Sequence, residues 1–261
     1  MTTRPHLTVR LTLMHSAIGV TAASTILGLW ALSLLVLLTQ PLPVWAWPAG
    51  VALQTFLYTG LFITAHDSMH GTVFPASSTI NDAFGRLAAT LYALFSFTSM
   101  REEHWKHHDH VATEDDPDFH DAEHPHPVRW YFHFMFHYMT VWQLVGMAIV
   151  FNVLSYGVGV PELRLLVFWV APALLSTVQL FFFGTYLPHR RPESGYDDDN
   201  RARSNDFSPW LSFLTCYHFG YHWEHHEYPH APWWMLPQVR RAQLEADARR
   251  SVGGGTHEAM T

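Results

Sequence analysis

"LAATLYALFSFTSM", Leu87–Met100, is a run of 14 uncharged residues between Arg86 and Arg101. How this stretch is read decides the fold. A helix that crosses a bilayer needs about 20 apolar residues, whereas a run of about 10–14 suits a re-entrant or interfacial piece. His66 and His70 precede it, and His104, His107 and His108 follow it. A full crossing would set these histidines on opposite faces of a membrane. A re-entrant or interfacial helix keeps them on one face, and that is the expectation.

Outward from this stretch lie four longer uncharged runs, Ser16–Leu38, Pro43–Ala65, Met139–Pro161 and Leu165–Pro188. Each is long enough to cross a bilayer. The first is too long for the apolar core of a cleavable signal and is expected to remain as a span. The fold expected is an all-α membrane protein with about four transmembrane helices, a re-entrant or interfacial helix and a histidine-rich cap on one face. With four crossings, the segments 66–137 and 189–261 share a side. Every one of the 15 Lys and Arg residues except Arg164 falls there too, which marks that side as cytoplasmic by the positive-inside tendency. Residues 1–240 are expected to form a single integral-membrane domain, and 241–261 the end of a surface helix and a flexible tail.

Composition agrees with a membrane setting: 49% of residues are hydrophobic and 14% charged, against about a quarter charged in soluble domains. A net charge of −7 argues against a nucleic-acid binder. Cys216 is the one cysteine, so neither an intramolecular disulfide nor a site of several thiolates is possible.

The 20 histidines are not scattered evenly. "HDSMHG" gives His66 and His70; "HWKHH" gives His104, His107 and His108; "HWEHH" gives His222, His225 and His226. Residues three and four apart share a helix face, so each cluster presents its imidazoles in one direction. Three such faces at membrane edges could hold two metal ions, and neutral imidazole suits iron, copper, zinc or nickel. A lone pair at this spacing is weaker: His133 and His137 sit among Trp130, Tyr131, Phe132, Phe134 and Phe136 and read as part of an interfacial aromatic belt. An all-imidazole, two-iron site that activates O2 for attack on a C–H bond fits best, with a lipid as substrate.

The sequences "HDSMHG", "HWKHHDHVATEDDPDFH", "FFFGTYLPHR" and "YHFGYHWEHHEYPHAPWWMLP" together resemble the bacterial carotenoid 4-ketolase family, within the membrane fatty-acid desaturase and hydroxylase superfamily. The resemblance covers roughly residues 45–240. The histidine boxes alone are shared with many desaturases; "DDPDFH", "TYLPHR" and "EHHEYPHAPWW" are more specific to ketolases. It implies a di-iron enzyme that uses O2 and electrons from ferredoxin or a similar donor. Such an enzyme hydroxylates C4 of a β-ionone ring twice, and the geminal diol loses water to leave a ketone. β-Carotene would give echinenone and canthaxanthin, and zeaxanthin would proceed toward astaxanthin. A bacterial cytoplasmic membrane is the implied location, with the site on the cytoplasmic side.

Under this resemblance His66, His70, His104, His107, His108, His222, His225 and His226 are the expected metal ligands, with His189 as a ninth. His218, four before His222, is a further candidate. Asp67, Asp116 and Asp118 are expected to accept the second imidazole N–H of ligating histidines, as is His230 to act behind the ligands, while Asp115 reads as solvated. Arg190 and Arg191 could meet lipid phosphates or an acidic ferredoxin, or simply anchor the chain at the interface. Of the aromatic residues at 181–183 and 233–234, most are expected in membrane packing and some along a tunnel for a rod-like polyene. Rival readings are a carotenoid hydroxylase that stops at the alcohol, a fatty-acyl desaturase, or a metal transporter, which would hold its ligands near the bilayer midplane.

Overall fold

An uncharged run in lipid can satisfy its own amides only as a helix or a closed barrel, and every long run here is helical. The computed structural model describes residues 5–120 and 125–254, with side chains for 12–120 and 125–250. Helix α1 spans Pro5–Thr39. A single 3-10 turn leads into α2, Trp47–Met69. After α3, Ser78–Ala93, and α4, Phe97–Asp109, come α5, Pro127–Tyr138, α6, Val141–Gly157, and α7, Glu162–His189. Three more helices close the fold: α8, Pro209–Cys216, α9, His222–Glu227, and the longer α10, Leu236–Gly254. The expected flexible tail, 251–261, starts within α10, which runs on to Gly254, and 255–261 lie outside the described residues.

Three stretches, Thr12–Thr39, Val44–Met69 and Glu162–His189, are long and apolar enough to cross a membrane. The run 139–161 differs from expectation. Helix α6 meets α5 at 84°, so the two make a bent pair that counts as a fourth span only if taken together. At about 1.5 Å per residue α6 alone reaches roughly 25 Å, short of the ~30 Å hydrocarbon core. The bend has a local cause. Met139 is extended (φ −82°, ψ 131°), and Thr140 opens α6 with a capping box: its Oγ1 accepts from Gln143 N at 3.2 Å, and Gln143 Oε1 accepts from Thr140 N at 3.3 Å.

The run 87–100 turns back within itself. Leu94 takes the left-handed conformation (φ 57°, ψ 30°) and ends α3, with Leu94 N donating to Thr90 O and Phe95 N to Ala89 O. Ser96 then caps α4 by accepting from Ser99 N at 3.3 Å. α3 leaves the end of α2 that bears His66 and His70, and α4 returns to it, bringing His104 Nε2 to 2.7 Å from His70 Nε2. The packing of α3 and α2 needs small residues. Ala88 and Ala89 are buried, and a Cβ on Gly85 would stand 2.3 Å from the Phe97 ring and 2.7 Å from Ser68 Cβ. Such close backbone approach is the usual way helices pair in membranes.

α2 is the central helix, packed against α1, α3 and α7. Leu57, Tyr58, Leu61 and Ile63 are buried there, with Trp30 of α1 edge-on to Tyr58. Two polar pairs lie inside: Thr59 Oγ1 donates to Gln179 Oε1 at 2.8 Å, and Tyr92 Oη meets Ser176 Oγ at 2.8 Å. The outer faces carry Leu29, Leu32, Leu35, Leu174 and Leu175 exposed, a surface suited to lipid. α7 contains two widened π turns, Leu166–Val170 and Phe181–Tyr186. Each holds the residue four before a proline, Phe168 before Pro172 and Gly184 before Pro188. A proline ring clashes with the carbonyl four residues back, and a π turn relieves that clash inside a helix.

Candidate metal centre

The three histidine clusters meet at one end of the helices. His66, His70, His104 and His225 form one buried group of four, and His107, His189, His222 and His226 a second; within each, one ligand nitrogen per residue lies within 4.8 Å of the others. His108 belongs to neither group of four but stands between them. Its Nε2 is 3.1 Å from His225 Nε2, and its ring centre is 4.3 Å from that of His226. His189, at the end of α7, is 1% exposed, and its Nε2 has no hydrogen-bond partner among the described residues.

These contacts cannot all be hydrogen bonds. His225 Nε2 faces His66 Nε2 at 3.2 Å as well as His108. His226 Nε2 faces both His107 Nε2 at 3.2 Å and His222 Nε2 at 3.1 Å. A neutral imidazole nitrogen carries one hydrogen or one lone pair, not enough for two such partners. Lone pairs converging on a shared cation resolve the conflict, so the residues fit a metal pair. Electrostatics agree. Burial, and then neighbouring imidazoles, hold His70, His104, His222, His225 and His226 well below the ordinary histidine pKa. Burial and then His107 push His108 down to about 2. Neutral imidazole is the form that binds metal.

Four of the far nitrogens are anchored. His107 Nδ1 donates to Asp116 Oδ1 at 2.8 Å, His189 Nδ1 to Arg201 O at 3.1 Å, and His222 Nδ1 to Phe219 O at 3.3 Å. His66 Nδ1 faces Asp67 Oδ1 at 3.4 Å, while Asp67 Oδ2 accepts from Trp233 N at 3.1 Å. Anchoring Nδ1–H leaves Nε2 free to face the centre. His107 titrates above the ordinary value: burial opposes its charge, but Asp116 and then Asp118 outweigh it. Burial likewise opposes the Asp116 charge, and His107 holds that carboxyl below the usual range.

Several sequence expectations need correction. Asp118 was expected to meet an imidazole; instead its carboxylate accepts from Tyr138 Oη, and its main-chain oxygen accepts from Trp130 Nε1 at 2.8 Å. His218 does not join either group. α9 begins only at His222, so His218 is not one turn back on the same helix; it sits in a left-handed turn (φ 63°) after Tyr217 (φ 49°). His230 is exposed. "HEYPH", His226–His230, has the spacing of a zinc-protease motif, yet α9 ends at Glu227, so its two histidines do not share a helix face. His133 and His137 stay outside both groups, His137 Nε2 meeting Glu103 Oε2 at 3.0 Å.

The sequence reading missed Glu224, in the middle of "HWEHH". It is 2% exposed and turned away from the imidazoles, accepting from Ser204 Oγ and, at 3.0 Å, from Arg240 Nη1. This pair ties α9 to α10. Glu224 sits two residues past His222, on the opposite helix face, which was legible; its partner 16 residues on was not.

An apolar cavity opens onto His66, His104, His107 and His222. It shares Tyr92, Phe95, Met135 and Thr177 with a second cavity that runs on between α3, α6 and α7. Its aromatic wall is Phe62, Phe95, Phe134 and Phe219; the aromatics at 181–183 and 233–234 line neither cavity. Phe181 packs on Trp130 and Tyr131, and Trp233 on Phe213 and Tyr217. Phe219 stands between α7 and the imidazoles, its ring centre 4.7 Å from His66 and 4.9 Å from His222. A Cβ on Gly184 would lie 2.4 Å from that ring. Gly184→Ala is therefore expected to drive Phe219 toward the histidines, at a cost of about 1–3 kcal/mol for overpacking and a loss of metal. Thermal unfolding and metal content of the purified variant check this; wild-type values for both would show that the wall yields.

Comparison with known proteins fits this geometry. The fatty acid desaturase family profile matches residues 42–157 and 139–254. A β-carotene ketolase of Haematococcus lacustris is 46% identical over 193 residues, 71% of this chain and 59% of that protein. A zeaxanthin 4-ketolase of Chlamydomonas reinhardtii is 41% identical over 239 residues, 85% of this chain and 53% of that protein. A β-carotene ketolase of Paracoccus sp. (strain PC1) is 44% identical over 189 residues, 72% of this chain and 76% of that protein. The chain thus spans little more than half the length of the algal relatives and about three quarters of the bacterial one. With two buried groups of four imidazoles at the end of a membrane helix bundle and matches over most of its length, the chain belongs to the fatty acid desaturase family, beside the β-carotene ketolases.

Proposed function

We propose that this protein is a membrane di-iron oxygenase that converts the C4 methylene of a carotenoid β-ionone ring to a ketone. The observation that carries the reading is the apolar cavity whose inner end is made of His66, His104, His107 and His222. A substrate there presents hydrocarbon to a metal centre. His66, His70, His104 and His225 would hold one iron and His107, His189, His222 and His226 the other, with His108 between the two. The irons, when bound, supply the reductive activation of O2 that oxidation of an unactivated or allylic C–H bond needs.

The rest of the chemistry falls to the chain. Asp67, Asp116 and the main-chain oxygens of Arg201 and Phe219 fix the tautomers of His66, His107, His189 and His222. The apolar wall excludes water and aligns a rod-like polyene with its ring at the histidines. Each round consumes a ring C–H bond, one O2, two electrons and two protons, and yields an alcohol and one water. A second round at C4 gives a geminal diol, which loses water to the ketone. The electrons come from a ferredoxin-type one-electron donor. Residues 1–240 act as one membrane domain, with the site on the cytoplasmic side, where Arg190, Arg191, Arg201 and Arg203 gather.

Expression in bacteria that accumulate β-carotene tests this, with chromatography and mass spectrometry of the pigments. Products that have gained one oxygen and lost two hydrogens per ring are expected. Hydroxylated pigment without ketone, or unaltered β-carotene and zeaxanthin beside well-expressed, iron-loaded protein, would contradict it.

A further inference from the structure

The cavity wall beside the histidines contains a polar pair whose hydrogen bond is made to each other and not to an imidazole. Asp118 is the one carboxylate among the described residues lining the apolar cavity, and Tyr138, whose hydroxyl donates to it, lines the same space. Both keep part of their surface accessible. A carboxylate among apolar groups is costly unless hydrogen-bonded, so its presence in a hydrocarbon tunnel calls for a reason. The pair is also held in register with the metal site. Asp116 Oδ1 accepts from both His107 Nδ1 and Asp118 N, at 2.8 and 2.9 Å, and Trp130 Nε1 grips the Asp118 carbonyl. Tyr138 is the last residue of α5, at the bend into α6.

We propose that Asp118 and Tyr138 receive a hydroxyl group on the substrate ring. A ring hydroxyl can donate to the carboxylate and accept from the phenol, a match that an unsubstituted hydrocarbon ring cannot offer. The inference rests on the carotenoid reading and deepens it. The hydroxyl has two possible origins of the same chemistry: one already present at C3, or the one left at C4 by the first oxidation. C3 and C4 are neighbours, so a single pair can serve either. A site that hydrogen-bonds a substrate hydroxyl discriminates far more sharply than an apolar pocket does. The pair would then govern which rings are accepted, or how completely the alcohol proceeds to the ketone.

Tyr138→Phe and Asp118→Asn test this beside the wild type, in cells that accumulate β-carotene and in cells that accumulate zeaxanthin. Protein amount and iron content are measured for each variant, so that a misfolded variant is recognised; Asp118→Asn, which keeps one acceptor oxygen, should give the smaller effect of the same sign. If the hydroxyl is that at C4, the ratio of 4-hydroxy product to ketone from β-carotene rises about tenfold or more in Tyr138→Phe. If it is that at C3, the ketone yield from zeaxanthin relative to β-carotene falls by a similar factor. Iron-loaded variants that lower ketone formation from both carotenoids in the same proportion, with no alcohol left behind, would overturn the inference and leave the ketolase reading standing. A wild type that oxidises neither carotenoid would overturn that reading, and the inference with it.

Discussion

His225→Ala is expected to empty the first metal position and abolish ketone formation. Its Nε2 lies 3.2 Å from that of His66 and 3.1 Å from that of His108, and its ring centre is 4.9 Å from that of His70. Within the first group it alone brings its Nε2 within 3.2 Å of two other imidazole nitrogens, one of them on His108, the residue between the groups. Loss of a residue that merely orients a ligand already costs about 10–100-fold in metal affinity or activity, so loss of the ligand itself should exceed that range. Alanine is a good helix former, and the Glu224–Arg240 pair that holds α9 against α10 stays in place. The effect should therefore fall on the metal rather than on the fold. Iron content and pigment conversion in the same cells check it; wild-type conversion would remove His225 from the metal site.

Asp116→Ala should be nearly as damaging without removing any imidazole. The carboxylate is 5% exposed and takes three hydrogen bonds: from His107 Nδ1 at 2.8 Å, Ala112 N at 2.7 Å and Asp118 N at 2.9 Å. Alanine leaves these donors facing a void, at about 1–3 kcal/mol for each one that stays unsatisfied. It also frees the His107 ring to turn and to exchange its tautomer, so metal affinity or activity should fall about 10–100-fold. Asp116→Asn keeps an acceptor for His107 but sets its amide against one of the two main-chain donors, and should fall between. Iron retention against a chelator, followed beside turnover, separates this outcome from simple unfolding. Unchanged retention in Asp116→Ala would mean that His107 is held by its packing alone.

Much of this centre could be read from the sequence because its signals are local. The HxxHH spacing sets imidazoles on one helix face, and a run too short to span a bilayer implied that the chain returns to the same side. The structure brings the eight box histidines together, and the ketolase-like "TYLPHR" pointed to His189. What escaped were long-range partners and unusual backbone. Leu94 ends α3 in a left-handed conformation that usually belongs to glycine or asparagine, so nothing in the run marked its break. The bend at Met139–Thr140 was legible only as a capping box, "TVWQ", hidden inside an apolar run that looked continuous. His218 was set on a helix that does not extend to it. Asp118 was grouped with Asp116 because both flank Pro117, yet the chain turns there, with Phe119 N donating to Asp116 O and Asp118 N to Asp116 Oδ1, so the two carboxylates meet different partners. One took the imidazole and the other the cavity. Glu224 needed Arg240, and no spacing rule links the two.

Two metal ions, both iron, are expected in one all-imidazole centre. Imidazole alone does not select iron, so the metal must be measured. The direct test is elemental analysis of the full chain, purified in detergent from iron-replete cells, with iron and zinc each expressed per protein chain. Two irons per chain, falling in His225→Ala and retained in Tyr138→Phe, are the expected result. Zinc in place of iron, or a single ion per chain in active protein, would contradict it.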